Sequence, residues 1–355
     1  MAYFDYSATS NVNQEVLNEF INDSKKDHLD YDLNSLSNDL NKILQSDFLV
    51  NFTSGSTEAN NWAIKGILKK YQKGHILTTE LEHSSLNEVF NYYKNKGFTI
   101  ETIKIENGLL SLEDFKNKIR EDTILVSVCS VNSETGLINP IDEIAEILKD
   151  YPKVVFHSDM TQSIGKIDIP LNNIDLVSFS AHKFYGLKGV GVLLQNKKLK
   201  LEPLFYGQRT FNLPLCRSLV KALSLALEDL DQKYAHIKKL NLELRDFLKN
   251  YPEVTINSPL TNSLSSILNI SISFVKPETF LHALEKYQIY ISTQSACSLT
   301  NSYSKAVMAL TNDKQRASSS LRISISYLTT ETDLENFKQA FAACYKELQL
   351  NSKQV

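Results

Sequence analysis

Lys183 closes the hexapeptide Ser178-Phe179-Ser180-Ala181-His182-Lys183, in which an amine follows an apolar run and stands beside hydroxyls and an imidazole. The preceding Ile174-Asp175-Leu176-Val177-Ser178-Phe179 has the β-branched and aromatic content of a buried strand, and Tyr185-Gly186-Leu187-Lys188-Gly189 has turn chemistry. An amine at such a strand end is either a surface lysine with a buried stem or a nucleophile able to hold a carbonyl compound as a Schiff base. Three other segments carry related chemistry. Thr53-Ser54-Gly55-Ser56-Thr57-Glu58 follows another apolar run, so the hydroxyls and free N–H groups of Ser56 and Thr57 could cradle a phosphate or simply cap a helix. Asp159 comes directly after Val154-Val155-Phe156-His157-Ser158, with Gln162 three residues on, and could keep a ring nitrogen protonated or serve as an N-cap. His83, in Glu82-His83-Ser84-Ser85, could stack on a planar ring and move protons, or be structural.

The elements that must position these residues alternate between short apolar strands and amphipathic helices, the pattern of a mainly parallel sheet with helices on its faces. Strands are expected at Phe48-Phe52, His75-Thr79, from Thr99, at Ile124-Val128, at Val154-Phe156 and before Lys183, with helices from Thr57 and Ser84. One long helix is expected from Pro214 to Leu248, with apolar residues at helical spacing through Leu219, Leu223, Ala226, Leu227 and Leu230. Beyond it, a strand at Ile267-Ile272, a helix from Glu278 to Tyr287, a strand at Leu321-Ile325 and a final helix from near Glu331 read as a smaller α+β unit. In open α/β sheets ligands bind outside the carboxyl ends of the strands, which is where Lys183, Asp159, His83 and the Ser56-Thr57 nest fall.

With 355 residues the chain can bury a large core and hold about two domains. A formal net charge of −3 with dispersed basic residues gives no electrostatic case for nucleic acid or an anionic membrane, so a small soluble substrate is expected. The apolar runs are far shorter than a bilayer span, and Met1-Ala2-Tyr3-Phe4-Asp5 has no signal pattern, so a cytoplasmic protein is expected. The four cysteines, Cys129, Cys216, Cys297 and Cys344, form no C-x-x-C pair, which argues against both a zinc site and a disulfide framework. Cys297 lies in a polar stretch of small residues, Ser292 to Ser302, as a reactive thiol on a surface loop would; Cys129 is expected inside an apolar strand, and Cys216 and Cys344 in helices.

Together, an amine, an acid, a stacking imidazole and a phosphate nest are the requirements of a pyridoxal 5'-phosphate enzyme. The ordered series Thr53-Ser54-Gly55-Ser56-Thr57-Glu58, Glu82-His83, His157-Ser158-Asp159-Met160-Thr161-Gln162-Ser163, Ser178-Phe179-Ser180-Ala181-His182-Lys183 and Ser295-Ala296-Cys297 resembles the NifS-like cysteine desulfurases of the class V aminotransferase family. Phe4-Asp5-Tyr6-Ser7-Ala8-Thr9 and Ser319-Ser320-Leu321-Arg322-Ile323-Ser324 extend the likeness over nearly the whole chain. The resemblance implies the type I fold of pyridoxal phosphate enzymes, with residues 12–232 as the large cofactor-binding domain and residues 1–11 and 233–355 as the small one. It implies that Lys183 holds the cofactor and transfers protons, that Asp159 pairs with the ring nitrogen, that His83 stacks on the ring and that Gln162 bonds the ring hydroxyl. Ser56, Thr57, Ser180 and His182 would hold the phosphate, Arg322 the substrate carboxylate, and Cys297 would take sulfur from L-cysteine as a persulfide, leaving L-alanine. It further implies a homodimer and a sulfur-acceptor protein, in iron–sulfur cluster assembly or in tRNA or cofactor thiolation.

The chain also departs from that pattern. Ser133 stands where the family usually has an asparagine near the ring hydroxyl. In the short segment Tyr206 to Asn212, Asn212 replaces a threonine that reaches the partner subunit's phosphate, Gln294 replaces a glycine near the reactive cysteine, and Asp23 to Ser37 lacks a Gly-Asn-Pro loop. An aminotransferase or selenocysteine lyase acting on a small amino acid, and a weakly active homologue acting as a binding partner or sulfur relay, therefore stand beside the desulfurase reading.

Overall fold

The computed structural model describes residues 2–106, 108–168, 170–207, 210–293 and 303–352. Among these, seven strands form the main sheet: β1 (Phe48–Thr53), β2 (His75–Thr79), β3 (Thr99–Ile103), β4 (Thr123–Ser127), β5 (Val155–Asp159), β6 (Leu176–Ser180) and β7 (Gly191–Asn196), in the spatial order β1-β7-β6-β5-β4-β2-β3. Pairing is parallel from β6 through β3, whereas β7 runs antiparallel to both β6 and β1. The expected parallel sheet therefore carries one reversed strand, which follows the turn after Lys183 directly and needs no crossover helix.

Alternation along the strands supplies both faces with apolar surface. Val177, Phe179, Val192 and Leu194 join one core with Val16 of α1 (Gln14–Asp23) and Leu36 and Leu40 of α2 (Leu33–Ile43). Leu176, Leu193 and Leu125 join a second core with Ala59, Ala63 and Ile64 of α3 (Ser56–Leu68) and Leu86 and Phe90 of α4 (Ser84–Lys94). Burial on both faces is what makes these strands read as apolar runs.

The expected helix from Pro214 to Leu248 is two helices, α5 (Leu213–Leu227) and α6 (Leu230–Leu248). Glu228 is extended at ψ 131° and Asp229 is left-handed at φ 50°, which breaks the rod. Leu219 and Leu223 of α5 pack into the main-sheet core, while Leu240, Leu244 and Leu248 of α6 pack into a separate core. That second core is built on the antiparallel sheet β8 (Val254–Ile256), β9 (Ile267–Ile272) and β10 (Ser320–Ser324), against α7 (Glu331–Ser352).

The amino terminus links the two cores. Ala2–Tyr3 pairs in parallel with Ile289–Tyr290, and Phe4 packs on Phe337 at 5.0 Å between ring centroids. The segment then bridges to β10 at Asp5–Ser324 and delivers the carbonyls of Ser7 and Ala8 to Lys183. The region lacking the Gly-Asn-Pro loop is folded: Arg217 of α5 bonds Glu19 at 2.7 Å and stacks over the Tyr31 ring at 4.6 Å. No helix among the described residues is long and apolar enough to cross a membrane.

Candidate active site

Lys183 ends a single 3-10 turn, Ala181–Lys183, that continues β6. Its Nζ donates to the carbonyl oxygens of Ser7 and Ala8, each at 2.7 Å, so the amine is held at the mouth of the sheet by the amino-terminal segment. Asp159 is the last residue of β5 and is 6 % exposed. Its carboxylate accepts from the Asn60 side-chain amide at 2.7 Å and from the Thr161 backbone N–H at 3.0 Å. His83 caps α4: its Nδ1 accepts from the Ser85 N–H at 3.2 Å and lies 2.8 Å from the Ser85 hydroxyl. With Nδ1 accepting, the ring carries its proton on Nε2. Burial lowers the imidazole's pKa, the Asp159 carboxylate opposes that shift and Lys183 adds to it, so His83 is neutral near pH 7.

Asn60 joins these two groups, and sequence reading missed it. It is fully buried on α3, and its amide nitrogen donates both to Asp159 and, at 2.9 Å, to the Ser85 hydroxyl that meets His83. The available signal was an asparagine on the buried face of α3, beside Ala59, Ala63 and Ile64.

The proposed anion nest is built by backbone contact. Gly191 pairs with Thr53 on one side and Ser180 on the other, which brings three strand ends level. A Cβ on Gly191 would lie 2.6 Å from the Phe179 oxygen and 2.7 Å from the Gly55 backbone, so only glycine lets the Ser54-Gly55 turn sit this close to the sheet. The Ser56 N–H donates to the Ser180 hydroxyl at 3.2 Å, and α3 begins with no side-chain cap. Ser180 itself is 1 % exposed and supports the nest from behind, while Ser56, Thr57 and His182 line the cleft. Burial, with Lys183, Lys188 and Lys166 nearby, pushes the His182 imidazole down to about 4. That positive surrounding, at the amino end of a helix, suits an anion.

Arg322 reaches the same cleft from β10. Its Nη1 donates to the Ser133 carbonyl at 3.0 Å and its Nη2 to Asp5 Oδ1 at 2.7 Å, while its buried Nε has no partner among the described residues. Gln162 donates from Nε2 to the Ser7 carbonyl at 2.9 Å and accepts at Oε1 from Lys166 Nζ at 2.7 Å. Thus Ser56, Thr57, His83, Asp159, Gln162, His182, Lys183 and Arg322 line one cleft. Ser133 lines it too, and its carbonyl also accepts from the Ser7 hydroxyl at 2.9 Å. Asn212 is occupied as the N-cap of α5, accepting from the Leu215 N–H at 3.0 Å.

Cys297 and Gln294 lie outside the described residues. Cys129 lies just past β4 instead of inside a strand, and it forms part of the cleft wall. Burial, then the Glu82 and Asp159 carboxyls, raise its thiol pKa well above the ordinary value, so it is no thiolate nucleophile. Cys216 and Cys344 are buried, as helix-packing residues would be. No group of acids, histidines and cysteines among the described residues could hold a metal ion.

The family model described as aminotransferase class-V matches residues 2–216 and 210–337, and the chain belongs to that family. It is 35% identical over 366 residues to "Cysteine desulfurase IscS" of Clostridium botulinum strain Hall, covering 94% of this chain and 91% of that protein. It is 37% identical to the protein of the same name from Buchnera aphidicola, covering 94% and 89%. Among solved structures, a "NIFS-LIKE PROTEIN" superimposes with a TM-score of 0.89 at 29% identity, covering 99% of this chain and all of the other.

Proposed function

We propose that this chain is a pyridoxal 5'-phosphate-dependent cysteine desulfurase, which takes sulfur from L-cysteine, releases L-alanine and passes the sulfur to an acceptor protein through a persulfide on Cys297. The observation that carries the reading is the convergence of Lys183, Asp159, His83 and Arg322 on one cleft. The residues fit the cofactor. A fixed carboxylate at a strand end, a neutral imidazole and a positive nest match a ring nitrogen, a ring face and a phosphate, and the unpartnered Arg322 Nε and Thr161 Oγ1 are buried polar groups still lacking partners. Bound there, pyridoxal phosphate supplies the electron sink that lets bonds at the α and β carbons of cysteine break.

The chain's own residues do the rest. Lys183 holds the cofactor and then moves the proton at the substrate α carbon, aided by its release from the Ser7 and Ala8 carbonyls. Asp159 would keep the ring nitrogen protonated, and His83 would offer its neutral imidazole to the ring face. Gln162 bonds the ring oxygen, and Ser56, Thr57 and His182, supported by Ser180, take the phosphate. Arg322 orients the substrate carboxylate. The Cys297 sulfur bonds to the substrate sulfur as the substrate C–S bond breaks, and the electron pair of that bond stays with the carbon that becomes the alanine methyl group.

Residues 12–232 form the large domain in this reading, with 1–11 and 233–355 the small one; the separate cores of α5 and α6 and the packing of Phe4 on Phe337 support two domains, although the bound after residue 232 falls inside α6, which begins at Leu230. A homodimer and an iron–sulfur or thiolation acceptor belong to the same proposal, and the relatives' name, "Cysteine desulfurase IscS", supports its desulfurase activity. The test is to incubate the purified protein with L-cysteine and a reductant and to measure sulfide and alanine beside a Cys297→Ala variant. Equal amounts of both products, lost in the variant, are expected. Absence of cofactor absorbance and of turnover would contradict the reading, and keto-acid formation unaffected by Cys297→Ala would make the protein an aminotransferase.

A further inference from the structure

Lys166 lies behind the cleft on the turn that follows Gln162. No acidic side chain among the described residues pairs with it, and the charged groups acting on it are Lys183 and Arg322, both cations. Among the described residues, the polar contact of its side chain is donation to Gln162 Oε1 at 2.7 Å. Burial and these cations lower its pKa to about 7. A half-buried amine with no counter-ion among the described residues is costly to a fold, so its contact with an active-site amide points to a role beyond packing.

While protonated, Lys166 only donates, and the Ser7 carbonyl only accepts, so the two together require the oxygen of the Gln162 amide to face Lys166. The nitrogen must then face the cleft side, where one N–H already donates to the Ser7 carbonyl that also accepts from Lys183. Reversing the amide would set its oxygen against the Ser7 carbonyl and its N–H groups against an ammonium. The second N–H of Nε2 is what remains for a ligand.

We propose that Lys166 is a positioning residue for the cofactor: by donating to Gln162 Oε1 it fixes the amide so that the free Nε2 hydrogen is presented to the ring oxygen. This rests on the reading of Gln162 given above. A donor to the ring oxygen and a cation behind it both favour the less protonated form of the lysine-bound cofactor. Both also strengthen cofactor binding.

The test compares the holoenzyme with Lys166→Met, Lys166→Ala, Lys166→Arg and Gln162→Ala. It reads the pH midpoint of the bound cofactor's visible absorbance and the dissociation constant of pyridoxal phosphate for the apoprotein, with thermal melting as a check on folding. Lys166→Met is expected to raise the midpoint by about one unit and to weaken cofactor binding about tenfold, the worth of one good hydrogen bond, with Lys166→Arg close to wild type. Its melting temperature should not fall, because a half-buried cation with no acidic partner among the described residues has been removed. Lys166→Ala removes the same donor and is expected to give the same shifts should the methionine not pack. If Gln162→Ala moves both readings and neither donor-less Lys166 variant does, the inference fails while the role of Gln162 stands. If Gln162→Ala moves neither, the role of Gln162 falls and the inference with it.

Discussion

Asp5 and Arg322, 317 positions apart in the chain, form an ion pair at 2.7 Å in which the guanidinium is 3% exposed. The arginine offered to a substrate carboxylate thus already has a carboxylate partner, and an incoming amino acid must share or displace it. Removing either partner should act on substrate binding in opposite directions. Arg322→Ala is expected to raise KM for L-cysteine by about tenfold to a hundredfold, the range for a lost charge-assisted bond, and Arg322→Lys should not restore it because the planar fork is gone. Asp5→Asn removes the competitor and is expected to lower KM about two- to fivefold. Steady-state kinetics check both, and a rise in KM in both variants would contradict the competition.

Lys183 is the amine held by the Ser7 and Ala8 carbonyls at the strand end. Borohydride should fix pyridoxal phosphate to the wild-type protein at this position, and Lys183→Ala should abolish the reducible linkage. Peptide mapping that finds the reduced cofactor on another lysine in the wild type would refute the assignment.

Asn60 links Asp159 to Ser85 and, through it, to His83. Asn60→Ala removes two buried donors and leaves the Asp159 carboxylate with the Thr161 N–H as its remaining partner among the described residues. The expected cost is about 2 kcal/mol in denaturant unfolding of the apoprotein, together with weaker cofactor binding. Unchanged cofactor affinity would show that Asn60 serves the fold alone.

Glu82, next to His83, accepts at Oε1 from the Cys129 N–H at 2.8 Å and from the Thr79 hydroxyl at 2.7 Å, while its Oε2 is buried without a partner among the described residues. Burial raises its pKa from 4.5 to about 8, so the folded state keeps a proton that the unfolded state gives up. Its contribution to stability is fully present below pH 4.5 and is lost as pH rises from 4.5 to about 8. Glu82→Gln, which keeps the acceptor and cannot ionise, should therefore gain on the wild type across that window, by about 4 kcal/mol at pH 8 relative to pH 4.5. Parallel stability–pH curves for the two proteins would contradict the assignment.

The strand-end placement of Lys183, Asp159 and His83 was legible because each follows a short apolar run buried on both faces. The breadth of a helix was not. Apolar spacing continues through Leu223, Ala226, Leu227 and Leu230, and no glycine or proline marks the left-handed Asp229 that separates α5 from α6. The antiparallel direction of β7 was also hidden, because strand composition carries no sense of direction. Asn60, 99 positions from Asp159, and Asp5, opposite Arg322, meet their partners only when distant segments fold together. A buried polar residue in the sequence signals that a partner exists, and folding supplies its name.

The central claim is that Cys297 receives sulfur from cysteine bound at Lys183. Mass spectrometry of the holoenzyme after brief exposure to L-cysteine without reductant measures this directly. An added sulfur atom is predicted on the peptide carrying Cys297, with alanine released in equal amount and neither seen in Lys183→Ala. Persulfide confined to Cys129, Cys216 or Cys344, or alanine formed with no sulfur on Cys297, would contradict the account.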